Sequence, residues 1–204
     1  MLAGRTRWRI ARRTGNIVAA ACASAALLVL CGLGVAGLPG PGRALDPGHG
    51  AWGGAAAARL PVPQTLTLTG LTHPALVYYT QAGVPSIEAS DLPDAMLALG
   101  YLHARFRLTQ MDLQRRLAEG RLSELLGPRA VGSDTFELTL GLLRTAQREW
   151  ASMPRSSIAA AMLTGYAAGV NDYLAQLRAS GQWPAEFTLA GVYPAPWTPV
   201  DSLA

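Results

Sequence analysis

The apolar and polar residues are distributed unevenly along the chain, and the changes in pattern divide it into segments. Residues 17–38 are apolar and uncharged, whereas residues 39–63 are rich in Gly, Ala and Pro and show no periodicity. The apolar run is long enough for a helix that crosses a bilayer, because a helix rises about 1.5 Å per residue. We therefore predict a basic segment at residues 1–16, a transmembrane anchor or signal helix at 17–38, a linker at 39–63 and a folded body at 64–204.

The body begins with a pattern that is typical of strands. Residues 75–79 form an apolar run, the Gln-Ala-Gly sequence at 81–83 is a turn signal, and a second apolar run extends through Ile87. This arrangement predicts a β-hairpin. Because proline cannot donate to a ladder, Pro85 places part of the second strand at an edge or a bulge.

Beyond the hairpin the apolar positions recur with helical spacing. Ser90 or Asp91 is the predicted N-cap of the first helix, with Pro93 in its first turn. Gly120 and Gly127 are the predicted helix ends in this region. The first part of the body is therefore predicted to be a hairpin followed by a long helix.

Two further helices are predicted from capping and turn signals. Asp134 and Glu137 form a possible capping box for a helix that reaches about Met153. A third helix is predicted at residues 155–177, and the proline- and aromatic-rich tail at 183–199 is predicted to be an ordered loop. The fold class of the body is thus α+β, with helices predominating.

The charge of the chain is concentrated at its N-terminus. The formal net charge is +4. From residue 17 onward, however, the chain has 12 basic and 13 acidic residues. The body is therefore not basic, and it contains neither a GxGxxG nor a GxxxxGK[ST] phosphate loop, so we exclude nucleic-acid binding. The five arginines that precede the apolar run are Arg5, Arg7, Arg9, Arg12 and Arg13.

This arrangement predicts export of the body. Positive residues stay on the cytoplasmic side, so the chain that follows the apolar run is expected outside the cytoplasm. Gly42-Arg43-Ala44 resembles a signal peptidase site, which leaves two outcomes open, secretion after cleavage near Ala44 or retention by an uncleaved anchor. Cys22 and Cys31 both lie within the apolar run and cannot form a disulfide framework for the body.

Several residues of the body have side chains that could carry chemistry, and structural roles are favoured for all of them. Helix-surface ion pairs are predicted for six charged residues, with a buried network as the alternative; these are Arg107, Arg115, Arg116, Asp112, Glu119 and Glu124. His103 is predicted to be structural, Gly169 and Asn171 to permit close helix packing, and Trp197 to be a core plug. The serines are predicted to occupy turn, cap or surface positions; they are Ser86, Ser123, Ser133, Ser156 and Ser202. His49 is predicted to be a solvated linker residue.

Four separated stretches of the body have distinctive sequences. They are residues 83–89 (GVPSIEA), residues 100–127 (from GYLHA to GRLSELLG), residues 166–171 (YAAGVN) and residues 184–201, which contain PAPWTP. In order and spacing they resemble the penicillin acylase family of N-terminal-nucleophile amide hydrolases, which mature by self-cleavage. Three sites depart from the usual family pattern, since Thr80, Ser86 and Phe106-Arg107 stand where Asp, His and Asp-Arg are common.

The resemblance implies an incomplete αββα sandwich, of which this chain supplies the first strands and a helical lobe of the α subunit. It implies hydrolysis of a linear amide, such as the N-acyl side chain of a β-lactam or an acyl-homoserine lactone. In the family the nucleophile and the oxyanion donors lie in the second chain. We accordingly expect no catalytic residue and no metal ligand here, leave the substrate-binding residues unknown, and expect calcium, if any, only in the full protein.

The partners implied by the resemblance are the β-subunit region of the same precursor, a small N-acyl amide substrate and, through residues 17–38, a membrane. On this interpretation the chain is most simply a truncated precursor. One alternative stays open, in which the chain is a non-catalytic, membrane-tethered protein that binds a partner, or the product of a pseudogene.

Overall fold

The computed structural model describes residues 3–33, 42 and 65–204. Helix α1 spans Ala3–Leu33 and therefore includes residues 17–33 of the predicted apolar run. The predicted linker with His49, and the proposed cleavage point at Ala44, lie outside the described residues. The predicted membrane-spanning helix is not supported, because no helix in the described part of the chain is both long and apolar enough to cross a bilayer.

The body opens with the predicted hairpin. Strand β1 (Leu76–Tyr79) pairs antiparallel with β2 (Pro85–Glu88), and Tyr79 lies opposite Pro85 at the turn end of the ladder. The turn is closed by the Gly83 amide, which donates to the carbonyl of Thr80 over 2.9 Å, and glycine is needed here because its φ is +77°. The hairpin prediction is confirmed, and Pro85 occupies the end of a strand.

Helix α2 (Leu92–Ala118) begins where the capping signals place it. The Asp91 side chain accepts a hydrogen bond of 2.8 Å from the backbone N–H of Asp94, and proline lies in the first turn. The helix kinks at Arg107, whose φ of −141° and ψ of 20° are not helical, and the chain leaves it through Gly120 in the left-handed region. The predicted N-cap and glycine stop are therefore confirmed.

The single helix predicted from Asp134 to Met153 is wrong. The chain instead forms the short helix α3 (Ser123–Leu126), a 3-10 turn (Gly127–Ala130), α4 (Val131–Leu140) and α5 (Leu142–Ser152). Gly141 separates the last two helices because it adopts a left-handed conformation with a φ of 75°. Asp134 lies inside α4 rather than at its N-cap.

The third predicted helix is present, three residues later at each end. Helix α6 spans Ile158–Ser180, is capped by the Ser157 hydroxyl and ends at Gly181. The tail at 183–199, predicted to be a loop, contains the short helix α7 (Ala185–Ala190), and a further short helix, α8 (Pro199–Leu203), begins at its last residue.

The core of the body lies between α2 and α6, which approach each other closely. A Cβ atom on Gly169 would overlap the carbonyl oxygen of Leu97, and one on Gly100 would overlap that of Tyr166. These glycines therefore allow the two backbones to touch, as predicted for Gly169. Around this contact pack the buried side chains Tyr101, Leu102, Leu108, Val170, Leu174, Phe187 and Trp197, with the inward residues of the hairpin against them.

Candidate functional site

A buried group of charges lies on the C-terminal half of α2. We call Asp112, Arg115 and Arg116 the arginine centre, and these residues are 1%, 6% and 3% exposed. One carboxylate oxygen of Asp112 accepts from Nη2 of Arg115, and the other accepts from Nε of Arg116 over 2.7 Å. The centre thus places two guanidinium groups on one buried carboxylate, which is an arrangement of charge-assisted hydrogen bonds.

The prediction of helix-surface ion pairs is wrong for these three residues, and the alternative, a buried network, is what they form. Their i,i+3 and i,i+4 spacing fits exposed pairs as well as buried ones, and the exposure falls because chain from the tail packs over them. Of the two glutamates in the same prediction, both bond Arg121, which is 46% exposed, over 2.8 Å each, and Glu124 also accepts from the buried Arg116. These bonds from Arg121 lower the pKa of Glu124, although partial burial opposes that shift.

The tail segment that covers the centre, residues 194–201, is fixed by side chains of both long helices. We call it the anchored segment. Nη1 of Arg115 donates to the carbonyl of Ala195 over 3.2 Å, and its guanidinium lies 5.0 Å from the centroid of the Trp197 ring. Asp201 lies 3.8 Å from the same Nη1. The tail is therefore tied to α2 by one residue that also belongs to the arginine centre.

Asn171 of α6 ties the same segment from the other side. Its amide nitrogen donates to the carbonyl of Trp197 over 2.8 Å, and its amide oxygen accepts from the Trp197 N–H over 2.7 Å. The indole is 7% exposed and donates to the Ser202 hydroxyl over 2.9 Å. The predicted core plug at Trp197 is confirmed. Asn171, predicted to permit close helix packing, holds a backbone segment instead.

The arginine centre is suited to holding structure. Its guanidinium groups bond carboxylates and carbonyls of the chain itself, and that of Arg115 also contacts the Trp197 ring. The arrangement therefore fixes the tail against α2.

A second cluster lies at the N-terminus of α2. His73, Asp91 and Asp94 place ligand atoms within 4.8 Å of one another, and they form the one group with metal-ligand spacing in the described part of the chain. The Nδ1 atom of His73 lies 3.4 Å from an oxygen of each carboxylate. Sequence reasoning did not single out His73, because the whole hairpin separates it from Asp91 in the sequence and only the fold brings them together.

The carboxylates of this cluster already have backbone donors. Asp94 accepts from the N–H groups of Thr72 over 2.9 Å and His73 over 2.8 Å, while Asp91 caps the helix. The Thr72 bond lowers the pKa of Asp94 and outweighs the burial that would raise it. Because the positive end of the helix dipole also lies here, the cluster fits the anchoring of the 72–73 loop better than the binding of a cation.

His103, which was predicted to be structural, contacts α6. Its Nδ1 lies 3.0 Å from the hydroxyl of Tyr166, and the two rings meet edge to face with centroids 5.8 Å apart. Partial burial and the nearby Arg107 lower the pKa of His103, so the ring is neutral near pH 7. These contacts join α2 to α6 and agree with a structural role.

The serines singled out in the sequence are dispersed through the fold. Ser86 is exposed on β2, Ser156 is exposed before α6, and Ser202 accepts the indole N–H of Trp197. Ser123 begins α3, and its backbone N–H donates to Asp134 over 2.9 Å. That none of them is the nucleophile stays a prediction.

The sequence of the body matches a known family. Residues 74–204 match the family profile described as penicillin amidase. The penicillin acylase 2 proenzyme of a Pseudomonas species is 39% identical over 148 residues, which are 72% of this chain and 18% of that protein. The acyl-homoserine lactone acylase QuiP of Pseudomonas syringae is 38% identical over 144 residues, 70% of this chain and 17% of that protein.

A solved structure agrees with these matches. A thermostable penicillin G acylase from Alcaligenes faecalis superposes with a TM-score of 0.57 at 29% identity, over 63% of this chain and 68% of the solved chain. The chain spans less than a fifth of the length of the two curated relatives described above.

Proposed function

This chain belongs to the penicillin amidase family, and we propose that it is the N-terminal part of an amidohydrolase precursor that removes the acyl side chain from a linear N-acyl amide. The match over residues 74–204 carries the proposal, since the same segment is similar to enzymes named for penicillins and for acyl-homoserine lactones. Hydrolysis breaks the bond between the acyl carbon and the nitrogen. Water supplies a hydroxyl to the acyl group and a proton to the amine.

The part of the reaction that this chain would serve is positioning. The arginine centre and Asn171 fix the anchored segment from two helices, so the chain beyond residue 201 starts from a defined place and direction. Preorganised supports of this kind matter because a small misplacement of a reacting group slows catalysis strongly. We propose that the nucleophile and the oxyanion donors lie in the remainder of the precursor.

Calcium, which the family resemblance allowed in the full protein, finds no fitting site among the described residues. Calcium takes six to eight oxygen ligands. The His73 cluster offers an imidazole and carboxylates that already accept backbone hydrogen bonds. The His73 cluster is therefore a poor fit for calcium.

The place of action is also a proposal. The order of an arginine cluster, an apolar run and a small-x-small sequence supports export of the body, either secreted or anchored. A fusion of the first 63 residues to a reporter that is active only outside the cytoplasm tests it. The fusion is expected to be active, and loss of activity when the five leading arginines are replaced by glutamate is the matched control.

The main proposal is tested on the protein that the complete gene encodes. The frame downstream of the Ala204 codon is sequenced first, and the purified product is then examined for self-cleavage and for release of amine from a panel of N-acyl homoserine lactones and penicillins. We expect two chains and release of amine from at least one substrate. A product that neither cleaves itself nor releases amine from any of them contradicts the proposal.

The control for this assay comes from the protein itself. N-terminal sequencing of the second chain identifies the residue exposed by self-cleavage, and its replacement by alanine is expected to abolish both cleavage and hydrolysis. A frame that closes at residue 204 would instead favour the non-catalytic, partner-binding alternative.

A further inference from the structure

We draw no further inference here: the strongest candidate, the half-buried Arg105 of α2, which lies between Tyr79 of β1 and Tyr173 of α6 and whose Nε has no hydrogen-bond partner among the described residues, rests on one unpaired atom, and nothing in the structure shows what pairs with it.

Discussion

The α2–α6 pair and helix α4 differ in which side chains they bury and which they expose. Between α2 and α6, charged groups such as Arg115 and Arg116 are buried, and each bonds a partner from the same chain. In α4 the buried side chain is the polar Asp134, while Phe136 and Leu140 are exposed. The first region therefore buries charged groups that bond within the chain, although Nε of Arg115 has no hydrogen-bond partner among the described residues, and the second exposes large apolar side chains. The difference shows that burial in the described part of the chain follows the packing of the tail and not the polarity of the side chains.

Removing the carboxylate of the arginine centre should have the largest effect. Asp112→Ala leaves two buried guanidinium groups without their shared counter-charge, which is expected to lower the free energy of unfolding by about 3–5 kcal/mol. Arg121→Gln, on the exposed side of the same network, is expected to change it by less than about 1 kcal/mol. Urea denaturation of both variants measures the contrast. Equal losses in the free energy of unfolding for the two variants would show that the buried ion pairs stabilise the protein no more than the exposed ones.

Adding one methyl group at each of two helical glycines tests the packing side of the comparison. Gly169→Ala drives a Cβ atom into the Leu97 carbonyl, and separating the helices is expected to destabilise the protein by about 1–3 kcal/mol or more. Gly132→Ala in α4 meets no atom within 4 Å. It should stabilise by about 0.5–1 kcal/mol, because alanine is the better helix former.

Thermal melting gives the sign of both effects. Opposite shifts of the melting temperature, down for Gly169→Ala and up for Gly132→Ala, are expected. A downward shift for Gly132→Ala would mean that α4 is already packed on that side, which would weaken the contrast between the two regions.

Cutting the bonds between Asn171 and Trp197 should have an intermediate effect. Asn171→Ala leaves the Trp197 N–H and carbonyl without these partners, which is expected to lower the stability of the anchored segment by about 1–3 kcal/mol. Faster hydrogen exchange in residues 194–203, with little change in α4, is the expected readout. Gln147→Ala on the exposed face of α5 serves as the control and should stay within about 0.5 kcal/mol of the parent.

Features encoded by local signals could be predicted from the sequence. The hairpin turn at Gly83 and the Asp91 cap with Pro93 after it each follow from the chemistry of a few adjacent residues. The membership of the family is likewise confirmed by the match over residues 74–204. These predictions succeed because the backbone requirement and the residue that satisfies it lie close together in sequence.

Features that depend on distant chain could not be predicted in the same way. The spacing of Asp112 to Arg115 and Arg116 is the same for a surface pair as for a buried one, and only the anchored segment, about 80 residues later, decides the burial. Asp134 and Glu137 satisfy a capping-box pattern, yet Asp134 caps the backbone of Leu122 and Ser123 instead. Which of several locally possible structures forms is decided by the packing of one segment on another.

The dependence of stability on pH also compares the two regions, because each contains a carboxylate with a lowered pKa. In the first, the Thr72 N–H bond lowers the pKa of Asp94 below its ordinary 3.8. In the second, burial would raise the pKa of Asp134, but bonds from Ser123 and Leu122 lower it overall. A folded pKa below the unfolded value contributes stability that is present above the unfolded pKa and is lost as pH falls through the folded one.

Stability should therefore be flat near neutral pH and decline below about pH 4, where unfolded carboxyl groups bind protons more readily than folded ones. Urea midpoints measured between pH 7 and pH 3 follow this decline. Asp94→Asn and Asp134→Asn should each be less stable than the parent at pH 7 and should each show a shallower fall in acid, because each removes one of the linked groups. If Asp94→Asn alone flattens the profile while Asp134→Asn leaves the parent slope unchanged, the polar attachment of α4 contributes nothing to the acid dependence of global stability.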